Sequence, residues 1–380
     1  MSFTGGQLAA HRTPAPRLTV DLGKLAHNAR TVAALCGRCG VSVLGVVKAA
    51  AGHFEVARAF VAGGVTALGD SRLENLEVLR RAGIGDELTL LRLPQQSLAA
   101  DVVRLADVSL NSEISTITLL SREAERLGRP HRVVLMVDLG DLREGFWLGT
   151  EGEGLPGLIE AARQLRSLKG VHVAGIGTNL TCYGGVIPTA GCLSGLVTIR
   201  KAVEDALGHP LSVVSGGNTS SLPLMMEGGM PPGVTQLRLG EGILLGQETV
   251  RHQPIPETFR DVFVLTAEVI ELREKPSVPI GETGLDAFGN EPVFKDRGVR
   301  PRAILAIGRQ DVDPSALEPF LAGAEVLGAS SDHMIVDVGD AEVPVRVGDQ
   351  LSFRVGYSAL LAAMTSPYVH KEFVAGGPRQ

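Results

Sequence analysis

The stretch SVLGVVKAAAGHFEVARAFVAGGVTALGD, residues 42–70, holds one complete strand–helix–strand unit, and its reading decides the fold. SVLGVV is a continuous apolar run rich in β-branched residues, as suits a parallel strand covered on both faces. EVARAFVA then follows helical spacing, GG interrupts it, and ALGD opens the next strand. The pattern extends outward. SRLENLEVLRRAG sets Leu73, Leu76 and Leu79 on one helical face, with Gly83 as its stop. LTLLRL (88–93), DVSLN (107–111), RVVLMVDL (132–139), VHVAGIGTNL (171–180), LSVVSGG (211–217) and TQLRLGEG (235–242) complete eight short strands in roughly two hundred residues. Near-uniform strand–helix units predict an α/β fold, a parallel (β/α)8 TIM barrel. An open doubly wound sheet is the alternative. It would gather glycine and polar residues at one switch point, whereas here they follow most of the strands.

The rest of the chain has another texture. RLTVDL (17–22) is a further strand that leads into the helix GKLAHNARTVAALC. After Gly246, HQPIPETFRDV reads as a linker. VFVLTAEVIELRE, RAILAIGRQDV, AEVLGAS, SDHMIVDVG and EVPVRVGDQLSFRV then read as strands between Gly, Asp and Pro turns. The expected organisation is an N-terminal arm (1–16), a barrel (17–247) and a C-terminal mostly-β domain (248–380), with strand 17–22 free to join the β domain. At 380 residues and 44% hydrophobic content the chain is long and apolar enough for this, and 21% charged residues exclude a disordered polymer. A net charge of −6 argues against nucleic acid or anionic membrane as the main partner. No apolar run approaches the ~18 residues of a membrane span. The opening MSFTGGQLAAHRTPAP shows no apolar core of a secretory signal, so the expected location is cytoplasmic. Cys36 and Cys39 form a CxxC without a second pair, and His53, His131, His172 and His333 make no compact ligand motif. No metal is expected.

Barrels of this kind carry their chemistry at the C-terminal ends of the strands. Those ends hold Lys48, Asp70-Ser71-Arg72, Arg92, Asn111, Asp138 with Arg143 beyond it, Asn179, Ser215 to Thr219, and Arg238 with Gly240. A lysine in the mouth, desolvated and among cations, suits a Schiff base; the alternative is a lysine snorkelling to solvent. SGGNTSS offers clustered N–H groups and hydroxyls after the seventh strand, where barrels bind phosphate. A Schiff-base lysine opposite a phosphate cradle implies pyridoxal phosphate. For Arg238 the alternative role is an ion pair with Glu241 or Asp138.

Five motifs in order, RLTVDLGKLAHNAR, GVVKAAAGH, VDLGDLREG, GTNLTCYGG with SGGNTSS, and LRLGEGILLG, resemble the alanine-racemase-like family of pyridoxal phosphate enzymes. Within it the chain is most similar to the ornithine racemase branch of amino-acid racemases. The resemblance implies a barrel plus a β domain, a homodimer with shared active sites, and an amino acid as the small-molecule substrate. It matches Lys48 to the Schiff-base lysine and Arg143 to the arginine that binds the substrate carboxylate. It matches Arg238 to the arginine facing the pyridine nitrogen, and Asn179 to the residue beside the ring. It further matches Asn218, Thr219 and Ser220 to the phosphate turn, Gly240 and Glu241 to backbone donors, and Tyr368 to a phosphate-contacting tyrosine. Arginine keeps its proton, so the ring is a weaker electron sink, which favours simple proton exchange at Cα over side reactions.

The chain departs from the alanine racemase pattern where a second base is needed. Residues 184–356 contain no tyrosine. Cys182 and Tyr183 after the sixth strand, and Glu282, Asp286 and Asp311 in the β domain, are the candidates. The acidic PIGETGLDAFG suits a substrate with a distal ammonium, ornithine or lysine. Two other readings stand beside the racemase: a non-catalytic pyridoxal phosphate carrier of the same barrel family, and a D-amino-acid aldolase-like enzyme. The carrier is a single domain, and the aldolase needs a metal site.

Overall fold

The computed structural model describes residues 15–376; most of the N-terminal arm expected at 1–16 lies outside them. Strand β1 (Arg17–Asp21) runs into a helix, Leu22–Gly37, and eight parallel strands follow, each short and apolar. These are β2 (Ser42–Val46), β3 (Ala67–Asp70), β4 (Glu87–Leu90), β5 (Val108–Asn111), β6 (His131–Asp138), β8 (Val171–Gly177), β9 (Val213–Ser215) and β10 (Gln236–Leu239); a two-residue strand, β7 (Phe146–Trp147), pairs beside β6. Neighbours pair in order around the ring, β5 on β6 and β10 back on β2, so the sheet closes. The expected barrel is present. Six of its strands stop one to three residues before the runs read from sequence, and β3 and β5 end where those runs end, at Asp70 and Asn111.

The local chemistry explains the closure. Leu73, Leu76 and Leu79 are all buried on the helix Leu73–Arg81, and Gly83 follows at φ +63. Val108, Leu110, Val134 and Met136 pack together inside the ring. Gly45 on β2 lets the helix Phe54–Ala62 approach: a Cβ there would lie 2.6 Å from Phe60 Cδ1.

The chain divides into two units, Leu22–Val262 around the barrel, and β1 with Phe263–Val374. Residues 248–262, read from sequence as linker and start of the β domain, group with the barrel. The reason is Asn28, fully buried on the first helix. Its Nδ2 donates to the carbonyls of Ile243 and Phe259, and its Oδ1 accepts from Phe259 N at 2.7 Å. Glu248 reinforces the turn by accepting from the amides of Val250, Arg251 and Gln253.

The second unit is built on β11 (Phe263–Pro276), β12 (Val299–Leu305), β13 (Leu317–Pro319), β14 (Glu325–Ala329), β15 (Met334–Asp337), β16 (Gln350–Val355) and β17 (His370–Val374). The strand order is β13-β16-β11-β12-β15-β14, all antiparallel. Strand β1 joins this sheet, antiparallel to β11 and parallel to β17. Residues 342–349, the start of a run read as strand, form an irregular loop with a turn, and a helix not anticipated there spans Tyr357–Thr365. Among the described residues no helix is long and apolar enough to cross a membrane.

Candidate active site

The strand ends of the barrel hold a connected polar set whose centre is Arg238. It lies on β10, 4% exposed, opposite Leu44 of β2. Its Nη1 donates to Ser215 Oγ and its Nη2 to the Thr178 carbonyl, both at 2.5 Å, and Nη2 also donates to Asn179 Oδ1. Gly177 keeps the space open, since a Cβ there would lie 3.1 Å from Ser215 Cβ and 3.4 Å from Arg238 Nη1. Burial pulls Arg238 down to about 10, and Glu144 opposes that pull. Among the described residues it pairs with no carboxylate directly, so the ion pair with Glu241 or Asp138 does not form.

Arg143 reaches the same set from the loop after β6. Asp138 shapes that loop by accepting from Gly140 N and Leu142 N, and Gly145 fits at φ +133 only because it lacks a Cβ. Such a Cβ would sit 2.5 Å from Asp138 N. Glu144 grips the Arg143 guanidinium through Nε and through Nη2, the latter at 2.6 Å, and accepts from Asn179 Nδ2 as well. The bond to Glu144 raises Arg143 above the usual guanidinium range. The sequence reading passed over Glu144. The only signal there was a carboxylate beside an arginine at a strand end, a pattern common on surfaces.

The turn after β9 carries Asn218, Thr219 and Ser220. Asn218 serves the frame: its Nδ2 donates to Leu180 O at 2.8 Å and to Cys182 Sγ at 3.2 Å, while its Oδ1 accepts from Ser220 N. Thr219 Oγ1 accepts from Gly242 N, joining this turn to the one at Gly240 and Glu241 after β10. Ser220 Oγ is buried and has no hydrogen-bond partner among the described residues. The Glu241 side chain turns to Gln247 Nε2 at 3.1 Å, and burial raises its carboxyl. Asp141 fixes the neighbouring loop by accepting from the amides of Cys182, Tyr183 and Val186; Tyr183 is largely exposed.

Lys48 opens a short 3-10 turn, Lys48–Ala50, two residues past β2, and is half-buried. Asp70, at the end of β3, is close enough to feel its charge. That carboxyl is fully buried; Oδ1 accepts from Arg72 N at 2.9 Å and Asn75 Nδ2 at 3.0 Å, and Oδ2 has no hydrogen-bond partner among the described residues. Burial raises Asp70 to about 6.

The remaining candidates belong to the second unit. Glu282 is exposed, and Asp286 holds a turn by accepting from Phe288 N and Asn290 N. Asp311 is buried and accepts from Ser366 Oγ at 2.7 Å. The Tyr368 side chain is exposed, and its amide donates to Ser366 Oγ. Cys36 is buried on the first helix, its thiol pushed up to about 12, chiefly by burial.

Known proteins share this frame. The sequence model of the alanine racemase N-terminal domain matches residues 20–247. Ornithine racemase of Acetoanaerobium sticklandii is 44% identical over 94% of this chain and 99% of its own length. Lysine racemase of Thermotoga maritima is 40% identical over 94% and 98%. The solved alanine racemase of Streptomyces coelicolor A3(2) aligns with TM-score 0.72 at 20% identity, covering 95% of this chain and 98% of that one.

Proposed function

The chain belongs to the alanine racemase family of pyridoxal-phosphate-dependent amino-acid racemases, and from that premise we propose that it interconverts the enantiomers of a basic amino acid, ornithine or lysine. One observation carries the substrate class: the near full-length similarity to an ornithine racemase and a lysine racemase.

The residues of the barrel mouth fit the cofactor. Ser220 Oγ, in the turn assigned to phosphate, is a buried hydroxyl with no hydrogen-bond partner among the described residues, and Gly217 beside it, at φ +103, leaves 2.9 Å between a notional Cβ and Ser221 Oγ. Such a turn suits an anion that accepts from hydroxyl and amide donors. Thr219 and Ser220, with Gly240 and Glu241 through their backbone amides, are the residues we assign to phosphate, and Lys48 is assigned to hold the cofactor covalently. When bound, pyridoxal phosphate supplies the electron sink that acidifies an amino acid at Cα.

The chain's own side chains divide the remaining work. Arg143 anchors the α-carboxylate by charge-assisted bonds. Arg238 would lie toward the ring of the bound cofactor; even at about 10 it keeps its proton at neutral pH, so it would offer a hydrogen bond and no proton transfer. The Lys48 amine is the proton carrier for one face of Cα. Cys182 is the candidate we favour for the other face, because Asn218 holds its sulfur beside the loop of Asn179. Tyr183, Glu282, Asp286 and Asp311 are its rivals, the last three through the second unit of a partner in a cytoplasmic homodimer. An acid of that unit would also pair with the substrate's distal ammonium.

Chiral chromatography of holoenzyme incubated with L-ornithine, L-lysine, L-alanine and L-norleucine tests the reading. D-ornithine or D-lysine should form well ahead of the others. Equal formation of D-alanine and D-norleucine would remove the basic-substrate claim.

A further inference from the structure

Arg143 and Arg238 are two cations served by a single carboxylate. Glu144 is 15% exposed at its side chain and contacts Arg143 directly; it reaches Arg238 through one amide, that of Asn179. The Asn179 amide is oriented by the charges at its two ends, with its oxygen toward the guanidinium and its NH2 toward the carboxylate. Reversing it would set donor against donor and acceptor against acceptor. The Arg238 acceptors, Ser215 Oγ, the Thr178 carbonyl and Asn179 Oδ1, are all neutral. Among the described residues, the carboxylate joined to that buried cation by hydrogen bonds is Glu144, across Asn179. The Glu144 carboxylate occupies the Nε–Nη2 edge of Arg143. A guanidinium has five N–H groups, and among the described residues the other three of Arg143 bond nothing.

We propose that Glu144 is the positioning residue of this site: it clamps Arg143 by one edge so that the opposite edge meets the substrate carboxylate, and it locks Asn179 in the orientation that seats Arg238. The proposal rests on Arg143 being the carboxylate anchor. It is independent of which amino acid is the substrate, because every amino acid carries the α-carboxylate. Glu144 acts through Arg143 and Asn179, the two side chains it bonds. Its contribution is geometric, and a neutral isostere should not replace it, since glutamine offers one acceptor where two are used.

The test compares wild type, Glu144→Gln and Glu144→Asp as holoenzymes in calorimetric titration with acetate, a bare carboxylate, together with the kinetics of whichever amino acid is turned over. Circular dichroism and the cofactor absorbance check that each variant is folded and loaded. Glu144→Gln should weaken acetate binding and raise KM by roughly ten- to a hundredfold, with a smaller change in kcat. Glu144→Asp, which keeps the charge, should recover part of the loss. Undiminished acetate affinity in a folded, loaded Glu144→Gln enzyme would overturn the proposal. So would tighter binding, which would make Glu144 a competitor for Arg143, or a wild type that takes up no acetate. Failure of wild type to racemise ornithine or lysine would instead strike the substrate reading and leave the acetate comparison standing.

Discussion

The Arg238 guanidinium donates to the Thr178 carbonyl at 2.5 Å, fastening a buried cation of β10 to the backbone at the end of β8. A lysine in its place keeps the charge and loses the fork that also reaches Ser215 and Asn179. Arg238→Lys in the cofactor-free protein should therefore lower unfolding stability by roughly 2–4 kcal/mol, about one to two unsatisfied buried acceptors. Urea denaturation measures it, and an unchanged midpoint would show that these bonds contribute nothing net.

Lys48 is half-buried on a turn, so Lys48→Ala should cost little stability, within about 1 kcal/mol. It should abolish the cofactor that borohydride reduction fixes to the chain. Mass spectrometry of the reduced protein decides this, and a persistent adduct would place the attachment on another lysine.

Asp70 predicts a pH dependence. Its folded-state pKa is raised from 3.8 to about 6, so the folded chain keeps a proton that the unfolded chain releases, and stability falls as pH rises through that window. An asparagine at this position has no such proton and still accepts from Arg72 N and Asn75 Nδ2 at its side-chain oxygen. Asp70→Asn should be more stable than wild type above pH 7, by up to about 3 kcal/mol, and the gain should vanish near pH 4. Denaturation at pH 4, 6 and 8 reads it, and a difference independent of pH would refute the assignment.

Arg143→Ala should harm every amino acid alike. The loss of kcat/KM should be at least about tenfold, the low end for a charge-assisted bond, with the ratio of ornithine to alanine unchanged. A change in that ratio would mean that Arg143 reads the side chain.

The barrel was legible because its strands are continuous apolar runs separated by amphipathic helices, and the period survives without any tertiary information. The places of Lys48, Arg143, Asn179, Asn218 and Arg238 at or just past strand ends were legible because a barrel displays its strand ends. Long-range bonds were not legible. The role of Asn28 depends on Ile243 and Phe259, more than two hundred residues away, so the linker after Gly246 gave no sign of joining the barrel. Tyr357–Thr365 is apolar on all sides and shows no helical period. Glu144 acquires meaning only when β6 and β8 bring Arg143 and Asn179 to the same carboxylate. The bonds of the Asn218 side chain to Leu180 O and from Ser220 N were not legible either.

The most direct test of the account is Cα deuterium exchange in heavy water, followed by mass spectrometry and chiral separation for L-ornithine, L-lysine, L-alanine and L-norleucine with the holoenzyme. A buried charge-assisted bond to the distal ammonium should favour the diamino acids by roughly ten- to a hundred-and-fiftyfold, with deuterium appearing at Cα as the D enantiomer forms. Alanine exchanging as fast as ornithine would contradict the basic-substrate claim, and no exchange with any amino acid would contradict a racemase acting on these amino acids.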